Sequence, residues 1–115
     1  LRFISPALLL PGFLLLAATS AAEARYNCAV KRTPDGFVAL RHGPSTQHAM
    51  VAKMRPQEMV HLLDPVTEEI VRSGDWLKVR WFPGTRRTEW TMPAGDEAKA
   101  RWGWVRDRLL NCFEE

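Results

Sequence analysis

The sequence predicts a small all-β protein, built as a barrel or a sandwich. Short runs of β-favouring residues alternate with turns that contain glycine and proline. The chain has 115 residues, which leaves room for one small domain once an apolar leader is set aside. Cys28 and Cys112, the two cysteines of the chain, lie close to the two ends of that domain, so we expect its ends to meet.

The leader occupies residues 1–24. One cation, Arg2, precedes an apolar stretch at 7–18, and small residues at its end offer a cleavage site after Ala24. The stretch is shorter than the ~20 apolar residues of a membrane span, and a proline interrupts it. We therefore expect a secretory signal peptide, a mature domain at 25–115 in the periplasm or outside the cell, and no stable membrane insertion after cleavage.

The first strands are expected between residues 36 and 63. A turn at 33–36 contains proline and glycine and leads into a β-rich run at 36–41. A second candidate strand, at 50–54, ends at an Arg-Pro pair. Apolar and polar residues then alternate at 58–63, which is typical of a strand with one buried face.

The clearest strand runs from 75 to 82. Its residues alternate, and Trp81 shares a face with the apolar residues, so we expect this tryptophan in the core. The Pro-Gly pair at 83–84 predicts a turn, with 88–92 returning as the antiparallel partner, and a last short strand follows at 102–105. The residues expected to form the core are Val38, Leu40, Val51, Met54, Val60, Leu62, Leu77, Val79, Val105 and Leu110.

Short motifs follow one another in an order that resembles bacterial Src-homology-3-like (SH3b) domains. Residues 37–45, F-V-A-L-R-H-G-P-S, resemble the opening x-L-N-V-R-x-G-P-S of that family, and V-H-L-L at 60–63 resembles its V-x-V-L strand. G-D-W-L-K-V-R at 74–80 is similar to the signature G-x-W-x-K-V-R, and G-W-V with the following L-L at 103–110 is similar to the closing motif. The resemblance covers about 36–110, nearly all of the expected mature domain.

This resemblance implies a small five-stranded SH3-like barrel. Bacterial domains of this family are often found in cell-envelope proteins, and some bind the peptide of peptidoglycan. The chain departs from the family in two places: Gln57 replaces a turn glycine, and the segment 81–101 is longer than the usual tight hairpin. Arg106 and Leu109 stand where eukaryotic relatives carry the proline and tyrosine of a polyproline-reading groove, so we do not expect that mode of recognition.

The isolated cysteine pair predicts a structural disulfide. In an oxidising compartment, two cysteines in a chain that contains no others are expected to form a disulfide with each other. The absence of a C-x-x-C motif argues against a redox-active pair. Closing a loop of about 84 residues would stabilise the fold by about 4–5 kcal/mol on the chain-entropy model.

Charge and motifs argue against several function classes. Removal of the leader leaves 15 basic and 12 acidic residues (16 − 1 and 13 − 1), a net charge of +3. This charge is too small for strong binding to the phosphate backbone of nucleic acid. The chain has no G-x-S-x-G or H-E-x-x-H motif, and His42, His48 and His61 lack the spacing of metal ligands. We therefore expect no enzymatic activity, no cofactor, no metal and no nucleic-acid partner.

Tryptophan and arginine point to a binding surface. Five tryptophans are more than a mature domain of 91 residues (115 − 24) readily buries, and these two residue types dominate interface hot spots. The tryptophans at 90 and 102, close to arginines in the segment 81–101, fit an exposed aromatic and cationic surface, although a solvated hairpin explains them equally well. Trp76 and Trp104 stand at signature positions of the resemblance, where packing against the barrel edge explains them as well. The candidate ligand-binding residues are Trp76, Arg86, Arg87, Trp90, Arg101, Trp102 and Trp104.

Two functions are compatible with these observations. The first is an exported, non-catalytic binding module of the bacterial cell envelope that recognises peptidoglycan peptide or an envelope protein. The alternative is a secreted inhibitor or accessory subunit of another enzyme, with the segment 81–101 acting as its plug.

Overall fold

The structure, a computed structural model, describes residues 26–89 and 99–113. Within these ranges the chain forms β-strands and short 3-10 helices at Arg87–Glu89 and Asp107–Leu109, and it forms no α-helix. None of the helices in this part of the chain is long and apolar enough to cross a bilayer. The expected leader, Trp90 and most of the expected return strand lie outside the described residues.

The strands pair in one antiparallel sheet. Its order is β3-β2-β7-β6-β4-β1-β8, and the short β5 pairs with β6. The described strands at the two ends of this order, β3 and β8, do not pair with each other, so the sheet is not closed. The all-β prediction is confirmed, whereas a closed five-stranded barrel is not shown. The strands are β1 (Asn27–Val30), β2 (Val38–Arg41), β3 (Met50–Met54), β4 (Glu58–His61), β5 (Arg72–Ser73), β6 (Trp76–Arg86), β7 (Arg101–Arg106) and β8 (Leu110–Phe113).

The core forms on the face that the alternating pattern predicts. Every expected core residue is buried except Val51, which is partly buried and packs against the core. Trp81 is 6 % exposed and belongs to the core as expected. Met59 and Phe82, which point to the opposite face of β4 and β6, are also buried. Burial on both faces of β4 is therefore a property that simple alternation did not predict.

Packing explains why the G-W-V motif begins with glycine. Gly103 lies in β7 beside β2, and a Cβ atom added there would lie 2.5 Å from Cγ of Leu40. Only glycine leaves room for this core leucine to pack against the strand.

The prediction of a turn at residues 83–84 is wrong. Strand β6 continues through Pro83 and Gly84 to Arg86, and residues 76–81 of this strand pair with β7. Consecutive residues of β4, Glu58 and Met59, pair with Arg86 and Phe82, so residues 83–85 form an irregular bulge in β6. Gly84 adopts a φ of +79° in this bulge. The Pro-Gly pair thus bends the strand and does not reverse it.

The first and last of the described strands, β1 and β8, pair with each other in the sheet. Cys28 in β1 and Cys112 in β8 are directly opposite each other and form the expected disulfide. Gln57, which replaces the turn glycine of the resemblance, has a φ of 73°. Its backbone N–H donates to the carbonyl of Val30 at 2.7 Å, and its carbonyl accepts from the N–H of Arg87 at 2.9 Å. These bonds hold a residue with a side chain in a conformation that favours glycine.

Candidate ligand-binding face

Strands β6 and β7 present a face made of aromatic and cationic side chains. Alternate residues of each strand point away from the core, and the antiparallel register places them opposite one another. Each of the three successive pairs joins one tryptophan to one basic residue. We call this surface the aromatic–cationic face, and its pairs are Trp76 with Arg106, Trp104 with Lys78, and Trp102 with Arg80.

Cations lie over the rings of this face. The Nζ atom of Lys78 is 5.5 Å from the ring centroid of Trp102, and Cζ of Arg80 is 5.9 Å from the same centroid. At the other end of the strands, Cζ of Arg106 is 5.1 Å from the ring centroid of Trp76. Each such contact contributes about 0.5–1 kcal/mol at an exposed site. The contacts therefore orient the charged groups before any ligand binds.

Exposure varies along the face. Trp102 is 38 % exposed, whereas Trp76 is 8 % exposed. Trp104 is partly buried. This gradient favours Trp102 as the main aromatic contact and Trp76 as a packed support.

A cavity of about 250 Å³ adjoins the buried end of the face. Arg41 reaches it from β2, where this residue is the cross-strand partner of Trp104, and its Nη1 donates to the carbonyl of His48 at 2.9 Å. The lining contains three arginines and no acidic residue, so the cavity suits an anionic group. It is lined by Ala39, Arg41, Thr46, Trp76, Arg106, Arg108 and Leu109.

The three candidate arginines lie elsewhere. Arg101 is exposed, and its Nη2 donates to the carbonyl of Val51 at 3.3 Å. Cζ of Arg87 lies 4.1 Å from the ring centroid of Phe113, and Arg86 lines a second cavity described below. The structure thus gathers the candidate tryptophans at 76, 102 and 104 on one face but leaves these three arginines outside it.

Sequence reasoning did not single out the cations that flank Trp102. Lys78 and Arg80 belong to β6, and only the register with β7 brings them to this ring. Alternation along 75–82 puts both residues on the face opposite the apolar residues at 77 and 79, but no sequence signal identifies their partner strand.

Glu58 is a second residue that the sequence did not reveal. Its side chain is buried, with 7 % of the residue exposed. One carboxylate oxygen, Oε1, accepts from the N–H of Arg55 at 2.7 Å and from Nε1 of Trp81 at 3.1 Å, and Oε2 accepts from the N–H of Gly84 at 2.7 Å. This carboxylate therefore ties the turn before β4 to the bulge of β6.

Metal-binding side chains do not cluster in 26–89 or 99–113, where no group of three or more His, Cys, Asp or Glu residues is placed to hold an ion. His61 instead shares a hydrogen bond of 2.7 Å with Oδ1 of Asn27, and His48 shares one of 2.9 Å with the hydroxyl of Ser45.

Comparison of the chain with protein-family models, with curated proteins and with solved structures finds no match. The resemblance to SH3b domains rests on the sequence motifs and stays a prediction.

Proposed function

We propose that the protein is an exported, non-catalytic binding module of the bacterial cell envelope, with an SH3b-like fold, and that it binds the peptide of peptidoglycan. The observation that carries this proposal is the aromatic–cationic face, where three successive cross-strand pairs each join a tryptophan to a basic side chain.

The chemistry of the face suits a short anionic peptide. Guanidinium and ammonium groups pair with the free carboxylates of such a peptide, and a guanidinium binds a carboxylate in bidentate fashion. An exposed indole ring such as that of Trp102 packs against aliphatic side chains and the planes of amide groups. The lining of the adjoining cavity, which holds Arg41, Arg106 and Arg108 and no acidic residue, offers a place for a carboxylate beyond the strands.

The disulfide supports export. Bridges such as Cys28–Cys112 persist in oxidising compartments and are rare in the cytosol. A periplasmic or extracellular location gives the protein access to peptidoglycan.

The test is retention of the oxidised protein on purified peptidoglycan at two salt concentrations. We expect Trp102→Ala and Lys78→Gln to weaken retention by about tenfold or more, because they remove an interface tryptophan and a charged group next to it. Tyr26→Ala and Lys53→Gln are matched controls, since both residues are exposed and lie outside the face, and they should bind as the unaltered protein does.

Equal retention of all variants would contradict the assignment of the face. Failure of the unaltered protein to bind peptidoglycan, together with stoichiometric capture of one envelope enzyme, would instead favour the secreted inhibitor or accessory subunit. Thermal unfolding of each variant separates loss of binding from loss of the fold.

A further inference from the structure

A second basic cavity, of about 270 Å³, lies at the far end of β6. It shares no lining residue with the cavity at Trp76. Its three arginines come from separate parts of the chain, which are the segment after β1, the turn before β4 and the end of β6. The lining residues are Arg32, Arg55, Pro56, Glu58, Gly84 and Arg86.

The three arginines of this cavity lack a salt-bridge partner among the described residues. Arg32, Arg55 and Arg86 are exposed, and none forms an ion pair with a residue in 26–89 or 99–113. Glu89 accepts a hydrogen bond from the backbone N–H of Arg86 at 3.0 Å, which leaves the guanidinium group itself outside that contact.

Glu58 offsets one of the three positive charges and forms no ion pair with these arginines. Both of its oxygens already accept hydrogen bonds from neutral N–H groups, namely those of Arg55, Trp81 and Gly84. Three guanidinium groups and one carboxylate leave the cavity with a net charge of +2 (3 − 1).

The walls of the cavity are held in place before a ligand enters. The carboxylate of Glu58 joins the backbone at Arg55 to the backbone at Gly84, so it fixes two walls relative to each other. The carbonyl of Gln57 accepts from the N–H of Arg87 at 2.9 Å and ties the same turn to the end of β6. Such preorganisation reduces the cost of ordering a site on binding.

We infer that this cavity is an anion site, separate from the aromatic–cationic face, and that it binds a phosphoryl group with two negative charges. A dianion balances the net charge of +2, whereas a single carboxylate would balance half of it. Guanidinium groups match the oxygens of a phosphoryl group with paired N–H donors. The source of the group is either a soluble phosphate monoester or the headgroup of an anionic lipid.

The experiment measures binding of three probes to the oxidised protein at pH 7.5. The soluble probes are inorganic phosphate and succinate, followed by chemical shifts of the Gly84 and Arg86 amides. The lipid probe is a vesicle of phosphatidylcholine with phosphatidic acid, followed by co-sedimentation against vesicles of phosphatidylcholine alone. Succinate is also a dianion at this pH, but it divides its charge between two separate carboxylates, whereas phosphate carries both charges on one group. We therefore expect saturable binding of phosphate that is at least tenfold tighter than binding of succinate.

Variants test the cavity itself. Arg55→Gln and Arg86→Gln each remove one charged donor and should weaken phosphate binding by about tenfold. Lys53→Gln is the matched control, because it removes the same charge from an exposed residue outside the cavity, and it should change affinity by less than about twofold. Co-sedimentation that depends on the same arginines assigns the lipid as the source, and phosphate binding without co-sedimentation assigns a soluble ester.

Three results would overturn the inference. These are the absence of saturation by phosphate, equal weakening by Lys53→Gln and by the arginine variants, and tighter binding of succinate than of phosphate. Trp102→Ala should leave phosphate binding unchanged, so this site and the proposed function can fail independently.

Discussion

Replacement of Glu58 by glutamine tests whether the buried carboxylate holds the bulge of β6 in place. The carboxylate accepts three hydrogen bonds, two at Oε1 and one at Oε2. A glutamine amide offers one oxygen in place of two, and its NH2 group would face an N–H donor. If the amide oxygen keeps the bonds from Arg55 and Trp81, the N–H of Gly84 loses its acceptor.

The magnitude follows from these contacts. A hydrogen bond to a charged group contributes about 1.5–3 kcal/mol, and a bond between neutral groups contributes roughly 0.5–1.5 kcal/mol. Glu58→Gln removes one bond of the stronger class and converts two others to the weaker class. Relief from burying a charge offsets part of this loss. We expect the free energy of unfolding to fall by about 2–3 kcal/mol.

The assay is urea unfolding of the oxidised protein, followed by tryptophan fluorescence, with hydrogen exchange at the Gly84 amide as a local readout. Glu69→Gln is the control, because Glu69 is exposed, and it should change stability by less than about 0.5 kcal/mol. A fall of less than about 1 kcal/mol for Glu58→Gln, with unchanged exchange at Gly84, would refute the view that this carboxylate anchors the bulge.

Two further predictions concern backbone strain and pH. Because the φ of Gln57 is 73°, Gln57→Gly should relieve about 1–2 kcal/mol of strain, offset by roughly 0.5–1 kcal/mol of chain entropy. Urea unfolding should therefore show a net gain of about 0.5–1 kcal/mol for Gln57→Gly and none for Gln57→Ala, and equal stability of the two variants would contradict this. Hydrogen bonds from the backbone N–H groups of Thr67 and Val66, with the charge of Lys78, lower the pKa of Asp64 below its ordinary value against a small opposing effect of burial. Because the pKa of Asp64 is lower in the folded than in the unfolded protein, the ionised carboxylate contributes stability above about pH 4, and this stability is lost as the pH falls through the folded pKa. An NMR titration of the Thr67 amide should show an inflection at the folded pKa, and Asp64→Asn should abolish it.

Local pattern predicted the central strands and most of the core, because alternation along a strand decides which side chains face inward, but it did not predict β1, β5 or β8. The apolar residues at 77 and 79 are buried as expected, whereas Val51 in β3 is only partly covered although Met54 of the same strand is fully buried. Cysteine position predicted the disulfide, since two cysteines near the ends of one small domain have no other partner.

Local pattern predicted the Pro-Gly segment wrongly. These residues favour a turn when only neighbouring residues are considered. Pairing of Arg86 with Glu58 and the hydrogen bond from Gly84 to the Glu58 carboxylate keep the chain in the sheet instead. Glu58 itself gave no sequence signal, because a single acidic residue at the start of a strand is ordinarily exposed.

The sequence by itself determined the all-β class, the inward residues and the cysteine pair, because each depends on periodicity or composition along the chain. Only the tertiary structure decided which cations face Trp102 and which arginines share a cavity with Glu58. Lys78 and Arg80 reach that ring through the register of β6 and β7, and the arginine cavity joins residues more than 50 positions apart (86 − 32 = 54). Contacts between distant segments depend on strand pairing, which the local pattern of a single sequence does not specify.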